Sequence, residues 1–145
     1  MSNGNAIPNL DRLAAEHAQA IISCTRRERG ADAKDVDNTI TKALGVLQED
    51  GVYACFLYLY AKEVDKKEVD KKKEEKDNGS VVIEEMLNLL GELPGFEHTK
   101  PLENIEQVLG YITNKVTVDL ERLLLAKETL EQMLIYARYG AKARS

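Results

Sequence analysis

The sequence has 145 residues, 43% of them apolar, and a formal net charge of −5, and these values exclude several classes of protein. The length suits one domain, and the apolar share is too high for a chain that is disordered throughout. A free-standing nucleic-acid-binding protein is usually basic, so any contact with RNA must come from a local patch or be shared with other subunits. The longest apolar run, residues 52–61, is far short of a membrane span, and the polar start of the chain does not have a signal-peptide pattern. We therefore expect a cytoplasmic protein.

The first part of the chain has the patterns of two helices behind a polar tail. Residues 1–8 are predicted to be a disordered tail, and residues 9–145 a single helical domain. Asn9 is a good N-cap for a first helix that is predicted to end at Gly30. A second helix is predicted over about residues 33–48, because apolar residues recur along both segments at helical spacing.

Residues 52–60 form a run that is apolar on every side and follows a glycine at position 51. Because glycine is costly inside a helix, we expect a break there. The run itself predicts a central helix buried on more than one face. Tyr53 and Tyr60 are seven residues apart and share one helical face. Packing in the core or against another subunit is favoured for them over stacking on RNA bases.

A charged segment follows, in which the sequence KEVDK of residues 62–66 is repeated at once in residues 67–71. A period of five matches no packing face, so residues 63–79 are expected to be a solvated helical extension or a loop. Asn78 and Gly79 are predicted to end this segment, and Ser80 to cap the next helix.

Two short helical patterns come next. The first ends at Gly91 and is followed by a turn at residues 93–95. The second has Pro101 in its first turn, where proline is well tolerated. The apolar pattern is interrupted at residues 113–116, which predicts a short loop there, after the second of these helices.

The final helix is predicted to begin near Thr117 or Asp119 and to run to about Tyr139. Its predicted apolar face consists of Leu120, Leu123, Leu124, Leu130, Leu134 and Ala137. Six helices without a convincing strand predict an all-α fold, a compact bundle of roughly antiparallel helices.

The residues that could carry chemistry form no recognisable catalytic or ligand-binding motif. His17 lies beside the apolar stripe of the first helix, where a packing or boundary role is favoured, and His98 is expected to be exposed in a loop. Cys24 and Cys55 sit in apolar segments and are expected to be small buried residues, although a disulfide stays open until their distance is known. No metal site and no cofactor are expected, and the sequence does not suggest an enzyme.

Two clusters of basic residues occur in this chain, although its net charge is negative. The first contains Arg26, Arg27 and Arg29 with Lys34 close by, and the second contains Arg138, Lys142 and Arg144. Positive charge near the end of a helix complements the helix dipole, and this interpretation is favoured on residue types alone. The alternative is contact with the phosphate backbone of a nucleic acid.

Three segments, taken in their order along the chain, together resemble the pattern of one protein family. In the first helix, Arg12 is followed by alanines at 14, 15 and 18. Residues 43–52 then lead into an apolar helix that closes on Phe-Leu and Ala-Lys at residues 56–62. The last helix contains residues 127–130 (KETL) and then residues 138–141 (RYGA). In order and spacing, these segments resemble the small helical subunit of the type III-B (Cmr) CRISPR effector complex. The type III-A counterpart is also small and helical.

The resemblance implies a non-catalytic subunit of an antiviral ribonucleoprotein. Members of this family stack in several copies against the backbone subunits and the large subunit, where they help to hold the duplex of guide and target RNA. The candidates for contact with the RNA backbone are Arg26, Arg27, Arg138 and Lys142, with Arg12 as an outside choice. The alternative to this function is a helical adaptor that binds only protein.

Overall fold

The structure, a computed structural model, describes residues 9–28, 32–69, 78–98 and 102–144, and for residues 26–28 and 63–69 it describes the backbone only. Within these ranges the chain forms six α-helices and no β-strand. The helices are α1 (Leu10–Ile22), α2 (Ala33–Asp50), α3 (Val52–Val69), α4 (Asn78–Glu92), α5 (Ile105–Tyr111) and α6 (Leu120–Ala143). Two short π-helical segments, π1 (Ser23–Glu28) and π2 (Ile112–Val116), continue α1 and α5. The predicted all-α fold is therefore confirmed for the described residues.

Polar side chains determine where four of the helices begin. Each cap accepts a hydrogen bond from a backbone N–H two or three residues further on, and the caps of α1, α2, α5 and α6 are Asn9, Asp32, Asn104 and Asp119. A cap of this kind contributes about 1 kcal/mol. Before α5, the side chain of Gln107 also accepts a hydrogen bond from the backbone N–H of Glu103, at 2.8 Å. The prediction that Asn9 caps the first helix is confirmed.

Helix α6 is the centre of the bundle, with α1 and α2 packed along it. Helix α2 runs antiparallel to α6, because Asp37 faces Arg138 at one end, and the ammonium of Lys127 donates to the carbonyl of Gln48 at the other. Helix α1 runs in broadly the same direction as α6. Asp11 near its start contacts Tyr136, and Ile22 at its end packs against Gly140. The bundle therefore combines antiparallel with parallel neighbours.

A tight corner at Gly51 joins α2 to α3. Gly51 has a φ of 101°, in the left-handed region that favours glycine, and the predicted break there is confirmed. The thiol of Cys55 packs back on the preceding helix and donates to the carbonyl of Ala43, at 3.4 Å. Burial raises the pKa of this thiol to about 12. Cys24 and Cys55 are thiols and not a disulfide, which answers the question left open by the sequence.

Helix α3 buries one face and exposes another, so the prediction of burial on more than one face is wrong in its first turns. Val52, Cys55, Phe56 and Leu59 are buried, whereas Tyr53 and Leu57 are exposed. The charged segment continues α3 as far as Val69, and the following residues up to Asp77 lie outside the described part.

Three predicted boundaries in the second half of the chain are wrong. Helix α4 begins at Asn78 and includes Gly79, since both residues are buried and packing overrides their preference for turns. Helix α5 begins at Ile105, four residues after Pro101. The expected loop at residues 113–116 is helical in π2, where the hydroxyl of Thr113 donates to backbone carbonyls one turn earlier.

The final helix also extends beyond its predicted end at Tyr139, because it continues through Gly140 to Ala143. Gly140 does not end the helix because Ile22 of α1 packs closely against it. The predicted tail of residues 1–8 and the predicted helix end at Gly30 lie outside the described residues, as does Pro101 itself.

A loop between α4 and α5 holds the start of α6 in place. The predicted turn is present, and Gly95 in it has a φ of 88°. The guanidinium of Arg122 lies 4.4 Å from the centre of the Phe96 ring, donates to the carbonyl of Lys115 at 2.7 Å and also donates to the carbonyl of Gly95. The hydroxyl of Tyr111 donates to the carbonyl of Phe96 at 2.5 Å. One arginine therefore joins α6 to the loop and to π2.

Candidate functional site

The packing of α1 and α2 on α6 brings the backbone of π1, Lys34 and the second basic cluster to one end of the bundle. The last turns of α6 lie beside the first turns of α2, and π1 continues α1 beyond the point where Ile22 packs against Gly140. We call this surface the basic end, and it consists of π1, the first turn of α2 and the last two turns of α6 with Arg138, Lys142 and Arg144. Sequence reasoning could not foresee this convergence, since most of the chain separates the two clusters.

Arg138 is the most constrained of the predicted contact residues. Its Nε atom is buried without a hydrogen-bond partner and lies 3.9 Å from a carboxylate oxygen of Asp37. This distance gives electrostatic attraction but exceeds that of a hydrogen bond. The side chain is still 37% exposed. Arg138 can therefore present part of its guanidinium to a ligand while Asp37 orients it.

Lys142 follows Arg138 by one helical turn and lies on the same side of α6, where it is exposed. Between them, Tyr139 is 62% exposed on a neighbouring side of the helix. Arg144 donates to the carbonyl of Gly140 at 2.7 Å at the end of the helix. Together these side chains give the end of α6 a mixed cationic and aromatic surface, which suits phosphate and base contacts or a protein partner.

The remaining predicted contact residues are placed differently. Arg26 and Arg27 belong to π1 at the basic end, and their side chains lie outside the described part. Arg12 lies near the start of α1, roughly 15 Å along the helix from its last residue at 1.5 Å per residue. It forms an exposed ion pair with Glu16 at 2.8 Å. The structure therefore does not bring Arg12 to the basic end.

A groove of about 350 Å³ separates α1 from the second half of α6 and opens beside the basic end. Small side chains, Ala15 and Ala18, form its floor, and Gln19 and Arg144 line the side towards the end of α6. Tyr136 and Asp11 are hydrogen-bonded across it, and this bond raises the pKa of the tyrosine. The groove is open and is lined by both polar and apolar groups, which suits a segment or side chains of a partner better than an enclosed ligand.

The opposite end of the bundle exposes large apolar side chains. Leu120 is 67% exposed, Val118 is 58% exposed and Leu124 is 53% exposed at the start of α6. Tyr53 and Leu57 are exposed on α3, and Tyr53 and Leu123 line a shared groove of about 350 Å³. We call the surface formed by Tyr53, Leu57, Val118, Leu120 and Leu124 the apolar end. The prediction that Leu120 and Leu124 belong to the buried face of the last helix is wrong, because no other element of the described chain covers them.

Exposed acidic residues lie beside the apolar end, where Asp50 lines the same groove as Tyr53. Glu49 and Asp50 end α2 beside it, and Asp119 and Glu121 begin α6. The nearby ammonium of Lys127 is directed to the carbonyl of Gln48. The sequence contained a signal for this surface: residues 118–125 hold more apolar side chains than one packed helical stripe uses.

The contacts of His17 with α4 are a third feature, which sequence reasoning missed. His17 lies between two carboxylates of α4, with Nδ1 2.9 Å from Glu85 Oε1 and Nε2 in contact with Glu92. The predicted boundary position of His17 is confirmed by its 14% exposure, but its partners are 68 and 75 residues away along the chain. His98 is exposed as predicted, and its ring meets that of Tyr111 edge to face.

Within the described ranges, no group of three histidine, cysteine, aspartate or glutamate side chains is arranged to hold a metal ion. None of the described helices is long and apolar enough to cross a membrane. No protein-family model matches the sequence, and no curated protein is significantly similar to it. The two ends of the bundle remain the candidate interaction surfaces of the described chain.

Proposed function

We propose that this chain is a non-catalytic structural subunit of a cytoplasmic CRISPR ribonucleoprotein of type III, most similar to the small subunit of type III-B (Cmr). In this function several copies stack along the duplex of guide and target RNA, against the backbone and large subunits, and contribute to antiviral defence. The observation that carries the proposal is that the backbone of π1, Lys34 and the second basic cluster lie at one end of an otherwise acidic helical bundle.

The opposite characters of the two ends support stacking of copies. The apolar end carries exposed leucines and acidic residues, and the basic end carries cationic side chains and the exposed Tyr139. Charge complementarity of this kind directs two surfaces towards each other, and burial of one exposed leucine contributes about 1.5–3 kcal/mol. Because the two surfaces are different, contact between them is head to tail and can continue from copy to copy.

Contact with RNA is proposed for the side of the basic end that a neighbouring copy leaves open. Arg138 is oriented by Asp37, and Lys142 is exposed one turn further along α6. Lysine and arginine bind the phosphate backbone without reading its sequence, which suits a subunit that must hold any guide RNA. We include Arg26 and Arg27 in this surface because π1 ends there.

Charge reversal in cells with the native complex tests the proposal. We expect Arg138→Glu/Lys142→Glu, expressed as the tagged copy in place of the wild type, to reduce the RNA that co-purifies and to make its retention more sensitive to salt. Lys42→Glu is the matched control, since Lys42 is an exposed cation in the middle of α2. Equal loss of RNA in the control and the double variant would contradict a specific role for the basic end.

A protein-only helical adaptor is the second candidate function, and the ion pairs favour it. Arg138 is paired with Asp37 and Arg12 with Glu16, so part of the predicted positive surface is already neutralised within the chain. In an adaptor, the double variant would leave co-purifying RNA unchanged and alter only protein partners. Substitutions at the apolar end, such as Leu120→Asp, would disrupt assembly in either function and so do not distinguish between them.

A further inference from the structure

His17 of α1 connects to α4 through both nitrogen atoms of its ring. Nδ1 lies 2.9 Å from Glu85 Oε1, and Nε2 contacts Glu92 on the other side of the imidazole. Glu85 and Glu92 are seven residues apart on α4, about two helical turns, so both face α1. His17 and Glu85 are largely buried, with exposed fractions of 14% and 12%, whereas Glu92 is 48% exposed.

This geometry requires a particular protonation state. A neutral imidazole has one N–H donor and one acceptor nitrogen, whereas imidazolium has two donors. Ionised carboxylates can only accept, so both contacts are hydrogen bonds only when the ring is charged. When the ring loses a proton, one of its nitrogen lone pairs faces a carboxylate lone pair, and that contact becomes repulsive.

Other charged groups around the pair do not replace this arrangement. The amide of Asn88 is 3.4 Å from the second oxygen of Glu85 and donates to it, which supports the ionised carboxylate. On α1 itself, Arg12 is paired with Glu16. Tyr136 and Arg144 at the end of α6 line the groove between α1 and α6, on another side of α1, and so does Asp11 of α1 itself. His98 of the loop lies over Gly91, beside Glu92. Glu84 is the other titratable side chain of α4, and Cys24 is the titratable side chain of π1 that the structure describes, because those of residues 26–28 lie outside the described part.

We propose that His17, Glu85 and Glu92 form a pH-sensitive latch that fastens α1 to α4 when the imidazole is protonated and loosens when it is neutral. The inference is independent of RNA binding and of the proposed function. It concerns the position of α1 and hence of π1, which continues from α1 to the basic end.

The hydrogen bond to Glu85 raises the pKa of His17 above its ordinary value of 6.5, burial opposes this, and Glu92 adds to the increase. A raised pKa in the folded state means that folding takes up a proton between the two values. The stabilisation is therefore fully present below about pH 6.5 and is lost as the pH rises through the folded-state pKa. Strong acid removes it again, when the carboxylates are protonated.

An NMR titration of the intact protein tests the latch through the ring Cε1–H signals of its two histidines. His17→Gln assigns the signals. We expect His17 to titrate above 6.5, and Glu85→Gln to lower its pKa more than Glu92→Gln, because Glu92 is half exposed. Both glutamines keep the shape of the side chain and remove the charge. A His17 pKa at or below 6.5, or one that neither variant changes, would overturn the proposal.

A second measurement tests the same latch through its effect on the free energy of unfolding. Urea unfolding of the wild type should show a loss of stability as the pH rises above about 6.5, and this loss should be smaller in Glu85→Gln. An identical pH dependence in the two proteins would overturn the proposal even if His17→Gln did not fold. Neither measurement involves RNA or a partner, so failure of the latch and failure of the proposed function are separate results.

Discussion

The first turns of α6 and the rest of the helix differ in what they do with apolar side chains. From Ala126 onwards one face is buried, and much of this face is small: Ala126, Ala137 and Ala141 allow α1 and α2 to approach closely, with Leu130, Met133 and Leu134 between them. The first turns contain Leu120 and Leu124, which are more than half exposed. One helix therefore serves as the core of the bundle at one end and as an uncovered apolar surface at the other.

This difference separates residues that hold the fold from residues that are available to a partner. Leu124 and Leu130 are the same residue type in the same helix, but they are six residues apart, which at 3.6 residues per turn places them on different faces of the helix. Leu130 lies on the face that is buried in the bundle, and Leu124 lies on a face that the described chain leaves exposed. Substitutions of buried and of exposed leucines should therefore affect different properties, stability for the buried ones and assembly for the exposed ones.

The sharpest form of the comparison is truncation of one buried and one exposed leucine of α6. We expect Leu130→Ala to lower the free energy of unfolding by about 2–5 kcal/mol, since it leaves a cavity in a fully buried site. Leu124→Ala should change it by less than about 0.5 kcal/mol, as is usual for exposed positions. Urea unfolding monitored by circular dichroism measures both. Similar losses in the two variants would mean that the start of α6 is covered in the isolated chain.

The start of α6 depends on Arg122 for its position, which predicts a smaller but clear effect. We expect Arg122→Ala to lower the free energy of unfolding by about 1.5–3 kcal/mol, the range for hydrogen bonds to charged groups, since it removes donors to the carbonyls of Gly95 and Lys115. Arg144→Ala is the matched control at the other end of the helix. The exposed side chain of Arg144 donates a hydrogen bond to the carbonyl of Gly140 in the last turn. Differential scanning calorimetry compares them, and a larger effect in the control would contradict this account.

The smallest expected effect concerns the cap of α6. The carboxylate of Asp119 accepts a hydrogen bond from the backbone N–H of Arg122, at 2.9 Å. We expect Asp119→Ala to cost about 1 kcal/mol and Asp119→Asn to cost much less, because asparagine caps helices about as well as aspartate. Thermal unfolding of the two variants checks this. Equal destabilisation by both substitutions would show that the charge and not the hydrogen bond matters.

Local chemistry explains how much of the fold could be predicted from the sequence. The cap at Asn9 and the break at Gly51 depend on residues adjacent in the chain, and both are confirmed. Predictions failed where packing overrides local preference. Asn78 is buried in the first turn of α4, and Gly140 remains helical under Ile22.

The candidate surfaces were harder to predict, because they depend on distant parts of the chain. The basic clusters were visible as residue types, but the placement of π1 and Lys34 beside the end of α6 follows from the packing of α1 and α2 on α6. The partners of His17 lie on α4, and no motif marks them. The exposure of Leu120 depends on which face of α6 the other helices cover, which its apolar character does not report.

The native mass of the tagged protein, purified from its own cells and tested for bound RNA, is the most direct measurement of the central claim. The account predicts a large ribonucleoprotein that contains several copies of the chain, and it predicts fewer copies for Leu120→Asp/Leu124→Asp at unchanged monomer stability. A monomer or dimer without RNA would contradict the proposed function and favour the protein-only adaptor.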